Sequence, residues 1–134
     1  MKQALLVGAV LLSSTAFAAD KFELKGDAAK GEATYKTMCV SCHGEKGDGN
    51  GPAGAALNPK PTNFTDPANA ERLTDEYAYK IIKDGGAAMG KSPLMVAWSG
   101  SLKDDQLRDV AAYVLKFKPA KAAEPAKKDT KKKK

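Results

Sequence analysis

Apolar residues recur at helical spacing in three segments of the chain, and polar segments that contain glycine and proline separate them. Asp27 is a suitable N-cap for a first helix that runs toward the cysteine at position 39, and Thr74 is the N-cap of a second helix that we expect to stop at Gly85-Gly86. No alternating strand pattern is evident, so the predicted fold class is all-α. We expect the last helix to pack on the first, where Gly31 permits close approach. That last helix is marked by one apolar stripe at positions i, i+3, i+4, i+7 and i+8: Leu107, Val110, Ala111, Val114 and Leu115.

The N-terminal segment has the composition of a secretory signal peptide. Lys2 supplies a positive start, residues 4–12 are apolar, and residues 16–18 are Ala-Phe-Ala, which suits a cleavage site. A run of about 9 apolar residues is too short to cross a bilayer core, which needs roughly 20. We therefore expect a signal peptide over residues 1–18, cleavage after Ala18, and a periplasmic mature protein without a transmembrane segment.

The C-terminal residues 119–134 consist mainly of alanine, proline and lysine, with seven lysines and two acidic residues. Such a segment cannot bury a core, and we expect a disordered tail that is either solvated or attracts acidic partners or anionic lipid. Lys2 and the tail lysines account for eight of the 22 basic residues, so residues 19–118 carry 14 residues of each sign. These residues form one predicted domain, in which a large apolar cofactor would add materially to a small core. Because the chain is secreted, we expect no nucleic-acid partner.

The candidate chemistry lies in the motif Cys39-Val40-Ser41-Cys42-His43, a C-x-x-C-H pattern typical of c-type haem attachment. In a coiled segment the two thiols reach the two vinyl groups of one haem, and His43 is held beside the iron as the proximal ligand. A zinc site needs four ligands, but the chain has two cysteines and one histidine. A thioredoxin-like pair lacks its βαβ context, and a disulfide is the remaining alternative. The prediction is one covalently attached haem c per chain.

The single histidine excludes a bis-histidine haem and any hydrolase that needs a second imidazole. After the signal peptide the methionines are Met38, Met89 and Met95, and Met38 adjoins the attachment motif on the proximal side. Met89 and Met95 are therefore both candidates for the sixth iron ligand. Histidine and methionine together raise the reduction potential and leave no vacant iron site, which suits electron transfer better than catalysis.

Five segments, spread over nearly all of residues 25–118, carry a resemblance to a known family. They are residues 26–31, the motif at 39–43, and residues 57–64, 92–98 and 107–113. In order and spacing they resemble the class I mono-haem c-type cytochromes of bacterial periplasm and mitochondria. The resemblance implies a small cytochrome c fold, with helices and long loops wrapped around the haem.

The same resemblance assigns roles to further residues. It implies that Met95 is the distal ligand and that Trp98 lies against the haem near a propionate. A carbonyl of Pro59 or Pro61 would accept the Nδ1 proton of His43. The family often has proline after the ligand methionine, whereas this chain has Val96, so Met89 stays an alternative ligand.

The predicted function is that of a periplasmic, monomeric electron carrier, which exchanges single electrons with redox partner proteins and is not an enzyme. The alternative is a haem-binding subunit or domain of a redox enzyme or gas sensor, in which the distal ligand can be displaced. The two functions differ in how firmly the distal ligand is bound to the iron.

One further motif, Gly49-x-Gly51-x-x-Gly54, matches the dinucleotide-binding fingerprint G-x-G-x-x-G. That fingerprint requires a preceding apolar strand and a following helix, but here it follows a polar segment and precedes Pro59. We expect a flexible loop at the haem edge rather than a nucleotide site.

Overall fold

A computed structural model describes residues 21–120, so the predicted signal peptide and all but the first two residues of the predicted tail lie outside the described residues. The described part contains helices, turns and loops but no strand, which confirms the all-α prediction. The helices are α1 (Ala28–Met38), α2 (Val40–His43), α3 (Pro67–Ala70), α4 (Asp75–Ala88) and α5 (Asp104–Leu115). A short 3₁₀ turn at Gly54–Ala56 follows α2.

The helix starts follow the local capping signals of the sequence. The Asp27 carboxylate accepts a hydrogen bond from the Ala29 N–H and begins α1, as predicted. The Thr74 hydroxyl accepts from the Tyr77 N–H and begins α4, also as predicted. Helix α5 begins after Lys103, whose N–H donates to the Gln106 side chain.

Helices α1 and α5 pack closely against each other, as predicted. A Cβ added at Gly31 would lie only 1.9 Å from the carbonyl oxygen of Asp109, so glycine is required for this approach. The Asp109 carboxylate also accepts a hydrogen bond of 2.6 Å from the Asp27 N–H, which joins the start of α1 to α5. Next to this contact the rings of Tyr35 and Tyr113 are 5.2 Å apart. The α1–α5 pair is thus the frame from which the C-x-x-C-H motif projects.

The core lies between α1, α4 and α5. Tyr35 and Val110 are its most completely buried large side chains, and Ile82 of α4 and Leu107 of α5 are also buried in it. Burying one such aliphatic side chain stabilises the fold by about 1.5–3 kcal/mol. Among residues 21–120, no helix is long and apolar enough to span a bilayer.

Helix α4 changes direction at Gly85, which adopts φ 81° and ψ 167°. The regular helix therefore stops at the predicted glycine pair, but one further turn follows it and extends the element to Ala88. This break leaves some backbone carbonyls of α4 without a donor inside the helix. The following loop supplies donors, since the Trp98 N–H bonds to the Ile82 carbonyl and the Ser99 N–H bonds to the Lys83 carbonyl. Gly85-Gly86 thus ends the regular part of α4 and also lets the following loop bond to it.

Candidate functional site

The last four residues of the C-x-x-C-H motif form α2, one helical turn, and its first cysteine, Cys39, joins α1 to α2. The His43 N–H donates to the Cys39 carbonyl at 2.9 Å, and the Gly44 N–H donates to the Val40 carbonyl at 2.9 Å. This coil brings Cys39, Cys42 and His43 to the wall of one cavity. Both cysteines are free thiols, so the disulfide alternative is not formed in this structure.

Burial raises the pKa of the Cys39 thiol to about 11, and the neighbouring Cys42 adds to the effect. The thiol is therefore protonated at neutral pH. A thioredoxin-like nucleophile needs the opposite shift, because the thiolate is the reactive form. The environment of Cys39 thus disfavours the dithiol redox alternative.

The glycine-rich segment that follows the motif is anchored to it. The Gly49 N–H donates to the His43 carbonyl at 2.9 Å, and the Gly51 N–H donates to the Cys42 carbonyl at 3.2 Å. A Cβ at Gly54 would lie 2.0 Å from the Cys42 carbonyl oxygen. The flexibility of this loop stays a prediction. The glycines let one backbone lie directly on another, and this loop supports the turn that carries the cysteines.

The His43 imidazole is held by stacking. Its ring centroid is 4.8 Å from that of Phe64, and the planes differ by 17°. Burial lowers the pKa of His43, and a backbone hydrogen bond with Thr62 opposes that effect. The neutral imidazole, which is the metal-binding form, is therefore favoured.

The Nδ1 atom of His43 is buried and forms no close hydrogen bond among residues 21–120, while the backbone of Thr62 is the polar group that acts on the ring. The carbonyl of Pro61 instead faces the loop, since a Cβ at Gly49 would lie 2.5 Å from it. The bond from His43 to a carbonyl of Pro59 or Pro61 therefore stays a prediction.

A cavity of about 390 Å³ lies beside α2, and its walls are mostly apolar. Met95 and Trp98 lie on its wall, as do Pro59 and Pro61, whereas Met89 does not. Both methionines are partly buried, and Met89 is the C-cap residue that directly follows α4. Further apolar lining comes from Leu57, Phe64, Leu73, Tyr77, Ile81, Ile82 and Val114.

The charged lining residues of this cavity have one sign. They are Lys60, Arg72 and Lys91, and none of the Asp or Glu residues between positions 21 and 120 lines the cavity. All three are exposed, so they lie where the cavity meets solvent. Two thiols, an imidazole and a thioether around an apolar cavity with a basic margin fit a haem, which is a large apolar ring that bears two carboxylates. The sequence had given no reason to single out these three basic residues or Phe64.

The comparisons with known proteins agree with this site. Residues 26–114 match the family described as cytochrome c oxidase, cbb3-type, subunit III. The chain belongs to this family. The match includes the helices α1 to α4 and nearly all of α5, together with the residues of the C-x-x-C-H motif.

Two curated relatives extend the comparison. The Cbb3-type cytochrome c oxidase subunit FixP of Bradyrhizobium diazoefficiens is 34% identical over 88 residues, which are 66% of this chain but only 27% of that protein. Cytochrome c-554(548) of Halomonas halodenitrificans is 33% identical over 88 residues, which are 66% of this chain and 93% of that protein. The predicted membership of the mono-haem c-type cytochromes is confirmed. The family implies haem c and electron transfer with redox partners.

Proposed function

We propose that this protein is a periplasmic electron carrier with one covalently bound haem c. In this proposal Cys39 and Cys42 form thioethers to the haem vinyl groups, His43 is the proximal ligand and Met95 is the distal ligand. The observation that carries the proposal is that these four side chains line one apolar cavity. When bound, haem supplies an iron that gains and loses one electron.

The chain itself has three tasks in this mechanism. The apolar walls, which include Leu73 and Ile82, exclude water from the cofactor. The burial that lowers the pKa of His43 keeps its imidazole available as a ligand. Trp98 lies on the same wall, and we place it against the haem, near a propionate.

Two observations favour Met95 over Met89 as the distal ligand. Met95 lines the cavity, whereas Met89 does not. Both the backbone N–H and the backbone carbonyl of Met95 also form hydrogen bonds. The N–H donates to the Ser92 carbonyl, and the carbonyl accepts from the Gly86 N–H. A ligand whose backbone is already ordered loses less conformational entropy on binding, and ordering costs about 1–2 kcal/mol per residue.

The partners of such a carrier are redox proteins, and the charge at the cavity favours acidic ones. Lys60, Arg72 and Lys91 give the cavity margin a positive potential that attracts an acidic surface and raises the rate of encounter. The predicted lysine-rich tail after residue 118 would act in the same direction. We further propose that the protein is monomeric, that residues 1–18 are removed on export, and that nucleic acid is not a partner.

A second candidate function is that of a haem-binding subunit or domain of a redox enzyme. The family description and the 34% identity to FixP, which is named as an oxidase subunit, favour it. Carbon monoxide distinguishes the two functions, because it binds reduced haem only where the distal ligand is displaced. A carrier with a firmly held Met95 should show no change of spectrum under this gas, whereas rapid binding would support the second candidate.

The covalent haem is tested in the purified protein by extraction with acidified acetone. Haem should stay with the wild-type chain, and Cys39→Ala or Cys42→Ala should lower the yield of matured cytochrome. Ser41→Ala is the matched control, since it changes an exposed residue of the same turn and keeps both thiols. Extraction of haem from the wild type would refute the proposal.

A further inference from the structure

The three basic residues at the cavity margin differ in how their side chains are held. The Nη2 atom of Arg72 donates a hydrogen bond of 2.7 Å to Oδ1 of Asn69. Among residues 21–120, the ammonium groups of Lys60 and Lys91 form neither a hydrogen bond nor a salt bridge. Within that part of the chain, Arg72 is therefore the only basic residue of the margin whose side chain the fold restrains.

Asn69 can orient Arg72 because its own amide is fixed at both ends. Its Nδ2 atom donates a hydrogen bond of 3.0 Å to the carbonyl of Asn63, so its Oδ1 atom is left to face Arg72. Asn69 lies in α3, is partly buried and lines the cavity. Rotation of this amide would break both hydrogen bonds, so the carboxamide holds the guanidinium in one direction.

The backbone around Arg72 is held as well. The Arg72 carbonyl accepts a hydrogen bond of 2.8 Å from the Thr74 N–H, and the Leu73 N–H donates one of 3.0 Å to the Asn69 carbonyl. The Leu73 carbonyl accepts a hydrogen bond of 2.9 Å from Nζ of Lys118. Leu73 is only 3% exposed and lines the cavity next to Arg72. The main chain therefore keeps Arg72 at the cavity.

The charge of Arg72 has no acidic partner in the described part of the chain. None of the Asp or Glu residues between positions 21 and 120 forms a salt bridge with it, whereas Arg108 is paired with Asp104 at 2.7 Å. A guanidinium is a planar fork of N–H donors that matches a carboxylate, and the bond to Asn69 leaves most of these donors free. A restrained guanidinium without a counter-ion, beside an apolar cavity, suits a ligand that brings its own carboxylate.

We propose that Arg72 binds a propionate carboxylate of the haem and that Asn69 is the positioning residue that directs it. This inference rests on the proposed function, in which the cavity holds haem. Lys60 and Lys91, which the fold does not restrain, then remain available to the partner protein. A positive charge beside the haem favours the ferrous over the ferric iron, so Arg72 should raise the reduction potential.

The test compares the resonance Raman spectra of the wild-type holoprotein and its variants. Hydrogen bonds to the carboxylates stiffen the bending mode of the propionates, so this mode reports the contact itself. Arg72→Gln should shift the mode and lower the reduction potential. Arg72→Lys keeps the charge but loses the planar fork, so it should retain more of the potential while the mode is still shifted.

Asn69→Ala tests the positioning role, because it keeps Arg72 and removes the group that directs it. The propionate mode should shift in the same direction as in Arg72→Gln, but less. Lys60→Gln and Lys91→Gln are the matched controls, since each removes one positive charge from the margin and should leave the mode at its wild-type frequency. A shift in a lysine variant without one in Arg72→Gln would overturn the proposal, as would an unchanged mode in all four variants.

A measurement on the wild type covers the case in which Arg72→Gln fails to fold. In the reduced, diamagnetic holoprotein, nuclear Overhauser effects should connect the side-chain protons of Arg72 with the propionate methylene protons, and their absence would refute the proposal. Failure of the proposed function looks different. In that case the wild type itself would contain no haem and show no propionate mode, whereas failure of the inference leaves the mode present and insensitive to Arg72.

Discussion

The backbone N–H of Gly86 donates a hydrogen bond of 2.7 Å to the carbonyl oxygen of Met95. The carbonyl of Gly86 accepts in turn from the N–H of Lys91, also at 2.7 Å. A Cβ at position 86 would lie 2.0 Å from the Ser92 carbonyl oxygen and 3.2 Å from the Cβ of Met95. The loop that carries the proposed distal ligand thus rests directly on a backbone surface that only glycine provides.

Gly86→Ala should therefore displace the Met95 loop. The added methyl group collides with backbone, which cannot move aside as a side chain can, and we expect a cost of about 1–3 kcal/mol in the free energy of unfolding. The near-infrared sulfur-to-iron band should weaken and the reduction potential should fall, while the haem stays attached. Gly100→Ala is the control, because a Cβ there meets no atom within 4 Å. An unchanged band in Gly86→Ala would show that this contact does not hold the ligand.

Much of the fold could be predicted because its signals are local. Asp27 and Thr74 cap helices that begin at the very next residue. The apolar stripe of α5 lies within that helix itself. The C-x-x-C-H motif is equally compact, since its function needs only one helical turn. These features require no knowledge of what packs against them.

The features that the sequence did not reveal depend on partners distant along the chain. The stacking of Phe64 on His43 follows from how the loop after α2 returns to the cavity. The loop at Gly49–Gly54 was expected to be flexible, but its glycines lie against the carbonyls of α2. A glycine pattern alone does not distinguish a mobile loop from one that needs close backbone contact.

Tyr35 offers a test of how the haem-binding turn is supported. Its buried hydroxyl donates a hydrogen bond of 2.8 Å to the carbonyl of Gly44, the residue after His43. Tyr35→Phe should lower the free energy of unfolding by about 1 kcal/mol, since it leaves that carbonyl without this donor. Urea denaturation at neutral pH measures the difference. Tyr113→Phe is the control, because within residues 21–120 the Tyr113 hydroxyl forms no hydrogen bond.

The wild type and Tyr35→Phe should also differ in how their free energy of unfolding depends on pH. Burial raises the pKa of Tyr35 above its ordinary value of 10.0, so the folded state favours the protonated hydroxyl. The stabilisation is complete below the pKa of the unfolded chain and is lost as pH rises toward the folded value. The stability advantage of the wild type over Tyr35→Phe should thus shrink above pH 10. A gap that stays constant across this range would contradict the assigned cause.

The basic margin of the cavity can be tested by charge reversal. Lys60→Glu combined with Lys91→Glu should slow oxidation by ferricyanide about tenfold at low ionic strength, because the margin then repels the anion. The stopped-flow rates should converge at high salt, where charges are screened. Lys46→Glu with Lys103→Glu changes the net charge equally at residues that do not line the cavity. If this control pair slows the reaction as much, only net charge matters and the margin has no special role.

The identity of the distal ligand is tested by comparing Met95→Ala with Met89→Ala. Met95 lines the cavity, whereas Met89, the C-cap residue after α4, does not. Met95→Ala should abolish the near-infrared sulfur-to-iron band and lower the reduction potential, because a thioether ligand stabilises ferrous iron. Met89→Ala should keep both properties and is the matched control. The reverse pattern would make Met89 the ligand, and a band that survives in both variants would mean that either methionine can bind the iron.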